Sequence, residues 1–160
     1  MPLLGFPLSV VALPHKDPRV NALFNRQRER FGAMVIQSDT AVRRVLEHLK
    51  SNRLVAILAE RDFGNHGIMM DFLGRKALIP KGAAFFSLKT GAPIIPIFFL
   101  RTHDQQFEIN IYPPIEPPPP SARTKGQAAF DLMSKYVPAI ESEIRKDPSQ
   151  WLLFREYWQS

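Results

Sequence analysis

The first third of the chain alternates between continuous apolar runs and apolar positions at helical spacing. The continuous runs predict short buried strands at residues 7–13, 33–37 and 53–59. The two segments between them carry apolar residues at i, i+3, i+4 and i+7, which is the spacing of amphipathic helices. Strands that alternate with helices at this spacing need crossover connections, so the pattern predicts a parallel sheet.

The first predicted helix has clear start and stop signals. Asp17 suits the capping position and Pro18 the first helical position, while Gly32 suits a left-handed residue after a helix that ends at about Phe31. The apolar residues of this helix share one face: Val20, Leu23, Phe24 and Phe31. That pattern leaves Arg19, Arg26 and Arg30 largely on the outside of the helix.

Residues 60–82 form an unusual segment, because glycines and charged side chains follow the carboxyl end of a predicted strand. Open α/β sheets bind their ligands at this position. Within the segment, residues 67–73 have a strand-like pattern. A short helix is predicted at 82–90, with Gly91 as its C-terminal cap.

Prolines shape the second half of the chain. They restrict a strand at 93–101 to an edge or an irregular pairing, and a half-buried antiparallel strand is predicted at 107–114. Residues 113–124 form a stiff proline-rich connector. A helix then spans 126–146, and Pro138 is expected to bend or split it.

These elements predict an α/β fold with a mixed, mostly parallel sheet flanked by helices. The 160 residues, of which 45% are hydrophobic, suit one domain over residues 1–160. There is no cysteine, which excludes disulfides, thiolate metal sites and a cysteine nucleophile. The two tryptophans near the C-terminus, Trp151 and Trp158, are expected to pack in the core rather than at a membrane interface.

The positive charge is concentrated near the N-terminus. Residues 16–53 contain nine lysines and arginines against four acidic residues, which is +5 of the net charge of +6. Such a field favours an anionic partner, although a solvated helix face gives the same pattern. Nucleic acid is the weakest candidate, because Phe24 and Phe31 fall on the apolar helix face rather than among the cations. We therefore expect no nucleic-acid partner.

Five phrases in register along the chain resemble one protein family. They are RERFG (28–32), LAERDFGNHGIMMDFLG (58–74), TGAPIIPIFF (90–99), YPPIEPPP (112–119) and DPSQWLLFREYW (147–158). The family is that of the bacterial lipid A biosynthesis lauroyl/myristoyl acyltransferases, lysophospholipid-acyltransferase-like enzymes that also include phosphatidylinositol-mannoside acyltransferases. The resemblance covers essentially the whole chain, from about Pro7 to Trp158.

This resemblance implies an acyltransferase that moves a fatty acyl chain from an acyl-carrier-protein or coenzyme A thioester to a hydroxyl of a lipid A precursor or related glycolipid. It implies the cytoplasmic face of the bacterial inner membrane, with peripheral binding to the membrane surface in this form. No dissociable cofactor is implied, because the acyl thioester is a co-substrate.

The chain departs from the family in one respect. The family's catalytic element is His-x-x-x-x-Asp/Glu, which lies upstream of the stretch that Pro7–Pro18 resembles, so the anchor, the leading helices and the dyad are expected to be missing. A sheet without its first strand and covering helix would expose an edge and apolar surface. The same spacing recurs at His66 and Asp71, but five residues along a strand place two side chains on opposite faces.

The resemblance also implies roles for other residues. Arg28 matches an arginine that engages anionic substrate groups, and a guanidinium suits phosphate. The acidic block Glu60, Arg61 and Asp62 matches a region that lines the acceptor pocket, although a structural ion pair would give the same sequence. Pocket-shaping residues complete the set: the turn or bulge glycines Gly64, Gly67 and Gly74, and the pocket-floor prolines Pro93 and Pro96.

The remaining histidines, His15, His48 and His103, are expected to be ordinary surface side chains, and none of the four histidines has metal-ligand spacing. The acyltransferase hypothesis therefore stands beside an alternative. In that alternative, the chain is a catalytically dead remnant or binding module that keeps the phosphate-binding and acyl-carrier surface.

Overall fold

The structure is a computed structural model that describes residues 2, 5–37, 41–60, 67–102, 104, 106–124, 126–153 and 156–158. The chain forms two compact units, which we call the N-terminal unit (Met1–Leu58) and the C-terminal unit (Ala59–Ser160). The prediction of a single domain over residues 1–160 stays a prediction.

The N-terminal unit alternates strands and helices as the sequence predicts. Its elements in chain order are β1 (Leu8–Ala12), α1 (Pro18–Glu29), β2 (Met34–Gln37), α2 (Ala41–Lys50) and β3 (Leu54–Ala56). The strands form one sheet in the order β2-β1-β3, and β1 is parallel to both neighbours. The predicted parallel sheet is confirmed, because each helix carries the chain back across the sheet.

The limits of α1 follow from local chemistry. Asp17 is extended and its side chain accepts a 2.7 Å hydrogen bond from the backbone N–H of Arg19, while Pro18 occupies the first helical position. Gly32 adopts a φ of 85°, which glycine tolerates without steric cost. The helix therefore ends near the predicted residue, at Glu29 rather than Phe31.

Strand β3 differs from its prediction. A strand over 53–59 that is buried on both faces was expected, but β3 covers Leu54–Ala56 and both its end residues are exposed. Among the described residues β3 pairs only with β1, so it is an edge strand. Its continuous apolar run therefore does not reflect a central position in the sheet.

The C-terminal unit consists of two antiparallel hairpins and two helices. The first hairpin joins β4 (Gly67–Phe72) and β5 (Arg75–Pro80) through Leu73 and Gly74, whose φ angles of 52° and 85° are typical of a tight two-residue hairpin turn. Helix α3 (Gly82–Thr90) follows and ends on left-handed Gly91, as predicted.

The second hairpin joins β6 (Ile97–Arg101) to β7 (Phe107–Ile111), and α4 (Ala128–Lys146) closes the unit. The α/β class is confirmed. Among the described strands, parallel pairing occurs in the first sheet, and the short connections of the two hairpins give antiparallel neighbours. Pro138 lies inside one continuous α4, so it does not split the helix, and the alternative that it bends the helix stays a prediction.

One face of α4 builds the core of the C-terminal unit by packing against α3 and β4. The buried residues of this core come from both hairpin strands and both helices: Met70, Phe72, Ala77, Ile79, Ala84, Leu132, Met133, Tyr136, Val137 and Ile140. Around them pack half-buried side chains that include Trp151 and Trp158, which confirms their predicted core position.

Strand β7 faces the opposite way from its predicted orientation. Its alternating apolar residues Phe107, Ile109 and Ile111 are exposed, although the pattern predicted that they would be buried. The inward side of β7 instead carries Asn110, which donates a hydrogen bond to Glu143 of α4. Alternation thus identified a two-faced strand, but the residue that contacts α4, Asn110, lies on its polar face.

The proline-rich connector runs from the end of β7 to α4. Ile94 and Ile115 exchange backbone hydrogen bonds and fix its middle to the segment before β6. The side chain of Arg123 then donates to the backbone oxygens of Pro118 and Leu88, which anchors the connector to the last turn of α3. The prolines are thus held at several points along the unit.

Candidate substrate site

Arg28 lies in the last turn of α1, in the N-terminal unit. One of its guanidinium nitrogens donates a 3.0 Å hydrogen bond to Asn25 Oδ1, and the guanidinium carbon lies 5.8 Å from the ring centroid of Phe24. The side chain is half-buried and makes no salt bridge with a described residue. Its positive charge is therefore oriented by neutral neighbours, which leaves it available to an anion such as phosphate.

Glu60 is the described member of the acidic block, and it belongs to the C-terminal unit. Its backbone oxygen accepts a 2.7 Å hydrogen bond from Tyr157 Oη. Four other predicted site residues lie outside the described residues: Arg61, Asp62, Gly64 and His66. Their predicted roles stay predictions, as does that of Glu60.

The C-terminal aromatic segment holds the start of the acidic block against the first hairpin. Trp158 Nε1 donates a 3.0 Å hydrogen bond to the backbone oxygen of Phe72, and the rings of Trp151 and Tyr157 pack against the Phe72 ring. The Tyr157 bond to Glu60 extends from this cluster. The backbone of Glu60, which lies in the connection between β3 and β4, is therefore held in place by the packed aromatic cluster.

Asp71 lies on β4 with an exposed side chain. Its carboxylate is 2.9 Å from Lys76 Nζ on the neighbouring strand, which is an ordinary cross-strand ion pair at the surface. This contact gives Asp71 a structural partner. The spacing to His66 remains a sequence observation only.

The pocket-shaping residues occupy turns and strand ends. A Cβ atom at Gly67 would lie 2.6 Å from the backbone oxygen of Ile79, so only glycine allows β4 and β5 to approach there. Gly74 occupies the left-handed position of the hairpin turn. Pro93 is exposed and Pro96 half-buried, both just before β6. Their roles in a pocket stay predictions.

His48 is not an ordinary surface residue, contrary to the prediction. It is half-buried, and its Nδ1 lies 2.7 Å from the hydroxyl of Ser9, a fully buried residue of the central strand β1. Arg53 Nε also approaches this hydroxyl at 3.4 Å. His15 is exposed and stacks on Phe24 with ring centroids 4.6 Å apart. Within the described ranges, neither histidine is hydrogen-bonded to a carboxylate.

Glu143 is the most deeply buried acidic residue of the described chain, and the sequence analysis missed it. Its carboxylate accepts hydrogen bonds from Tyr112 Oη at 2.6 Å, Asn110 Nδ2 at 3.2 Å and Lys146 Nζ at 2.5 Å. A signal was present, because Glu143 lies three residues after Ile140 on the apolar stripe of α4. An acidic residue on that stripe needs buried partners.

These contacts shift the titration of the cluster. Burial alone would raise the pKa of Glu143, but the hydrogen bonds from Lys146, Tyr112 and Asn110 together outweigh burial and hold it below its usual range. The bond to Glu143 raises the pKa of Tyr112 and also that of Lys146. Asn110 on β7 and Tyr112 just after it join the second hairpin to α4 through this carboxylate, while Lys146 lies on α4 itself. The cluster is therefore structural in its geometry.

The described ranges contain neither a metal-binding cluster nor a helix that could span a membrane. They contain no group of three or more histidines and acidic residues arranged to hold a metal ion. No described helix is both long enough and apolar enough to cross a bilayer.

The comparison with protein families defines the class of protein. A family model described as bacterial lipid A biosynthesis acyltransferase matches residues 4–160. The chain therefore belongs to the bacterial lipid A biosynthesis acyltransferase family, as its sequence phrases indicated.

Individual relatives come from two branches of this family. The chain is similar to the phosphatidylinositol mannoside acyltransferase of Mycobacterium tuberculosis (strain ATCC 25618 / H37Rv), with 28% identity over 110 residues, which is 66% of this chain and 33% of that protein. It is similar to the lipid A biosynthesis acyltransferase of Haemophilus influenzae, with 27% identity over 146 residues, 88% of this chain and 45% of that protein.

The match to the phosphatidylinositol mannoside acyltransferase of Mycolicibacterium smegmatis is 25% identical over 156 residues, 95% of this chain and 49% of that protein. The chain thus spans between a third and about half of the length of the curated relatives that it matches.

Proposed function

We propose that the chain functions in acyl transfer from an acyl-carrier-protein or coenzyme A thioester to a hydroxyl of a lipid A precursor or related glycolipid. The observation that carries this proposal is the family match over residues 4–160. The relatives are named for transfer to lipid A or to phosphatidylinositol mannoside, both of which are glycolipids.

The proposed mechanism is direct transfer. A general base removes the proton of the acceptor hydroxyl, whose oxygen attacks the thioester carbonyl and expels the thiol. Arg28 binds an anionic group of a substrate, and Glu60, Arg61 and Asp62 contact the acceptor. The thioester supplies the activated acyl group, so the reaction needs no dissociable cofactor. We place this activity at the cytoplasmic face of the inner membrane, with the protein bound peripherally.

Arg28 supports this proposal through its geometry. It is half-buried, ordered by Asn25 and Phe24, and makes no salt bridge within the described part of the chain. A guanidinium in such a setting binds phosphate in two parallel hydrogen bonds, which an ammonium group does not reproduce.

The alternative function is a binding module without chemistry. The partners of the described histidines favour it, because a catalytic histidine base is normally oriented by a carboxylate. His48 instead contacts Ser9, and His15 stacks on Phe24. This alternative retains the phosphate-binding surface of α1 and predicts binding without turnover.

The test measures free thiol released from acyl-carrier-protein and coenzyme A thioesters by the full chain, with a glycolipid acceptor present or absent. Acceptor-dependent release, with an acylated lipid seen by mass spectrometry, supports acyl transfer. Arg28→Ala should lower this rate by about tenfold or more, and Arg28→Lys should restore it only partly. Lys135→Ala, an exposed change on α4, serves as the control. Acceptor binding without thiol release favours the binding module. If the chain shows no acceptor binding and no thiol release, both functions are rejected.

A further inference from the structure

Helix α1 packs with its polar side towards the protein. Its described residues include none that is buried, and its half-buried positions are Asn21, Asn25 and Arg28. These three lie on one side of the helix, at i, i+4 and i+7. A helix that rests on a sheet normally buries its apolar stripe, so the orientation of α1 is the reverse of the usual one.

The apolar stripe of α1 consequently faces outward. It comprises Val20, Leu23 and Phe24 on the helix and Phe31 two residues after its end, all of which are exposed, with Leu23 and Phe31 each at 53%. Val20, Leu23 and Phe24 lie at i, i+3 and i+4 and so share one exposed face, while Phe31 follows beyond the polar Gln27. An exposed apolar face of this kind indicates an interaction site.

Cationic side chains border this stripe on both sides. At 100° per residue, Arg28 falls on one border, while Arg19, Arg26 and Arg30 fall on the other. The Arg30 guanidinium carbon lies 5.7 Å from the ring centroid of Phe31, so apolar and cationic groups are in contact at the border. The N-terminal unit as a whole holds +5 of the chain's net charge of +6.

We propose that α1 lies in the plane of an anionic lipid surface, with its apolar stripe at the boundary between headgroups and acyl chains and its arginines on the headgroup phosphates. The apolar stripe and the flanking arginines match the two layers that a helix in the membrane plane contacts. Aromatic and aliphatic side chains enter the boundary with the acyl chains, while the arginines stay at the level of the headgroups. The proposal rests on the proposed function in one respect, which is that a glycolipid acceptor resides in a membrane.

An acidic protein is the other partner that suits the charge, but lipid suits the geometry of the stripe better. An acidic protein surface offers carboxylates to the arginines and little to the four apolar side chains between them. A bilayer of anionic lipid satisfies both sets at once. Capture of a protein by α1 is therefore an outcome of the test rather than a second proposal.

The test is sedimentation of the full chain with vesicles of phosphatidylcholine and phosphatidylglycerol, compared with vesicles of phosphatidylcholine alone. The chain should bind the anionic vesicles, and more weakly as salt increases. Leu23→Glu should lower the affinity by about tenfold, because it places a charge in the boundary layer. Ile109→Glu on β7 is the matched control, because Ile109 is 52% exposed but lies in the C-terminal unit.

The electrostatic half of the proposal is tested by Arg19→Glu/Arg26→Glu, which should weaken binding by about tenfold or more. Lys81→Glu/Lys135→Glu makes the same change in net charge on exposed residues of the C-terminal unit and should have a much smaller effect. Circular dichroism melting of each variant verifies that it folds.

Equal losses in the α1 variants and their controls would overturn the proposal, as would equal binding to both kinds of vesicle. Binding of acyl carrier protein that is lost in the α1 variants, without vesicle binding, would replace the lipid by an acidic protein. Thiol release measured in detergent solution is independent of these outcomes. Loss of vesicle binding with release intact rejects only this inference, and binding without release rejects only the catalytic function.

Discussion

The two units differ in how they use their apolar residues. In the described part of the N-terminal unit, only Ile36 and Val45 are fully buried apolar side chains, whereas the C-terminal unit buries a contiguous set that spans two hairpin strands and two helices. The N-terminal unit also carries most of the net positive charge. One unit thus buries its apolar residues in its own core, while the other leaves apolar and cationic side chains exposed.

Truncating one phenylalanine in each unit should give the largest difference in stability between the two units. Phe72 is fully buried among Trp151 and Tyr157, whereas Phe24 on α1 is exposed. Phe72→Ala should lower the free energy of unfolding by about 4 kcal/mol, because it opens a cavity. Phe24→Ala should cost less than about 1 kcal/mol. Urea unfolding measures both, and similar losses would refute the contrast between the units.

A carboxylate in each unit gives the next largest contrast. Glu143→Ala leaves the donors of Tyr112, Asn110 and Lys146 without their acceptor, and should lower the free energy of unfolding by about 2 kcal/mol. Glu47→Ala removes only an exposed pair with Arg43 and should cost less than about 0.5 kcal/mol. Denaturant unfolding at neutral pH distinguishes the two.

Acid should reproduce the Glu143 effect in the wild-type chain. Because the folded-state pKa of Glu143 lies below its usual range, its contribution to stability is present above about pH 4 and is lost as the pH falls through the folded-state value. The stability difference between wild type and Glu143→Gln should therefore shrink on acidification. A difference that does not change with pH would contradict the assigned charge.

Ser9→Ala probes the buried hydroxyl of Ser9 on β1 of the N-terminal sheet. It removes the partner of His48 and the acceptor for Arg53, and should cost about 1 kcal/mol. Ser134→Ala on the exposed side of α4 is the control, because among the described residues its hydroxyl donates to the backbone oxygen of Phe130 in its own helix. Amide hydrogen exchange in β1 measures the effect locally. A protected β1 in the variant would show that the polar contact is dispensable.

The smallest effect is expected at Tyr136 in the C-terminal core. Its hydroxyl is buried and has no hydrogen-bond partner among the described residues, and burial raises its pKa. Tyr136→Phe should leave the free energy of unfolding unchanged or raise it by up to about 1 kcal/mol, because an unsatisfied polar group is removed. Thermal melting checks this. A loss above about 1 kcal/mol would reveal a partner for the hydroxyl.

Local signals in the sequence were enough to predict most of the elements. Helix α3 has its predicted limits because Gly91 supplies the left-handed cap, and α1 starts where Asp17 and Pro18 place it. The orientation of β7 was not predictable, because alternation separates two faces without saying which one a helix will cover. For the same reason the apolar face of α1 was identified but its exposure was not.

The candidate site was predicted only in part. Arg28 was chosen by resemblance, and the structure adds that Asn25 and Phe24 orient it. The contact between His48 and Ser9 spans 39 positions in sequence, so no local pattern carries it. Glu143 was the missed residue that periodicity alone could have flagged, since it lies on an otherwise apolar helix stripe.

The proline-rich connector has a consequence for the unfolded chain. Six of the eight residues from 113 to 120 are prolines, whose φ angles are restricted before folding begins. A free chain already favours an extended path here, so folding removes less conformational freedom per residue than in an ordinary loop. The hydrogen bonds of Ile115 and Arg123 therefore hold a segment whose extended conformation is largely formed before folding. Substituting glycines for its prolines would loosen the return path to α4 while leaving every buried core residue in the sequence.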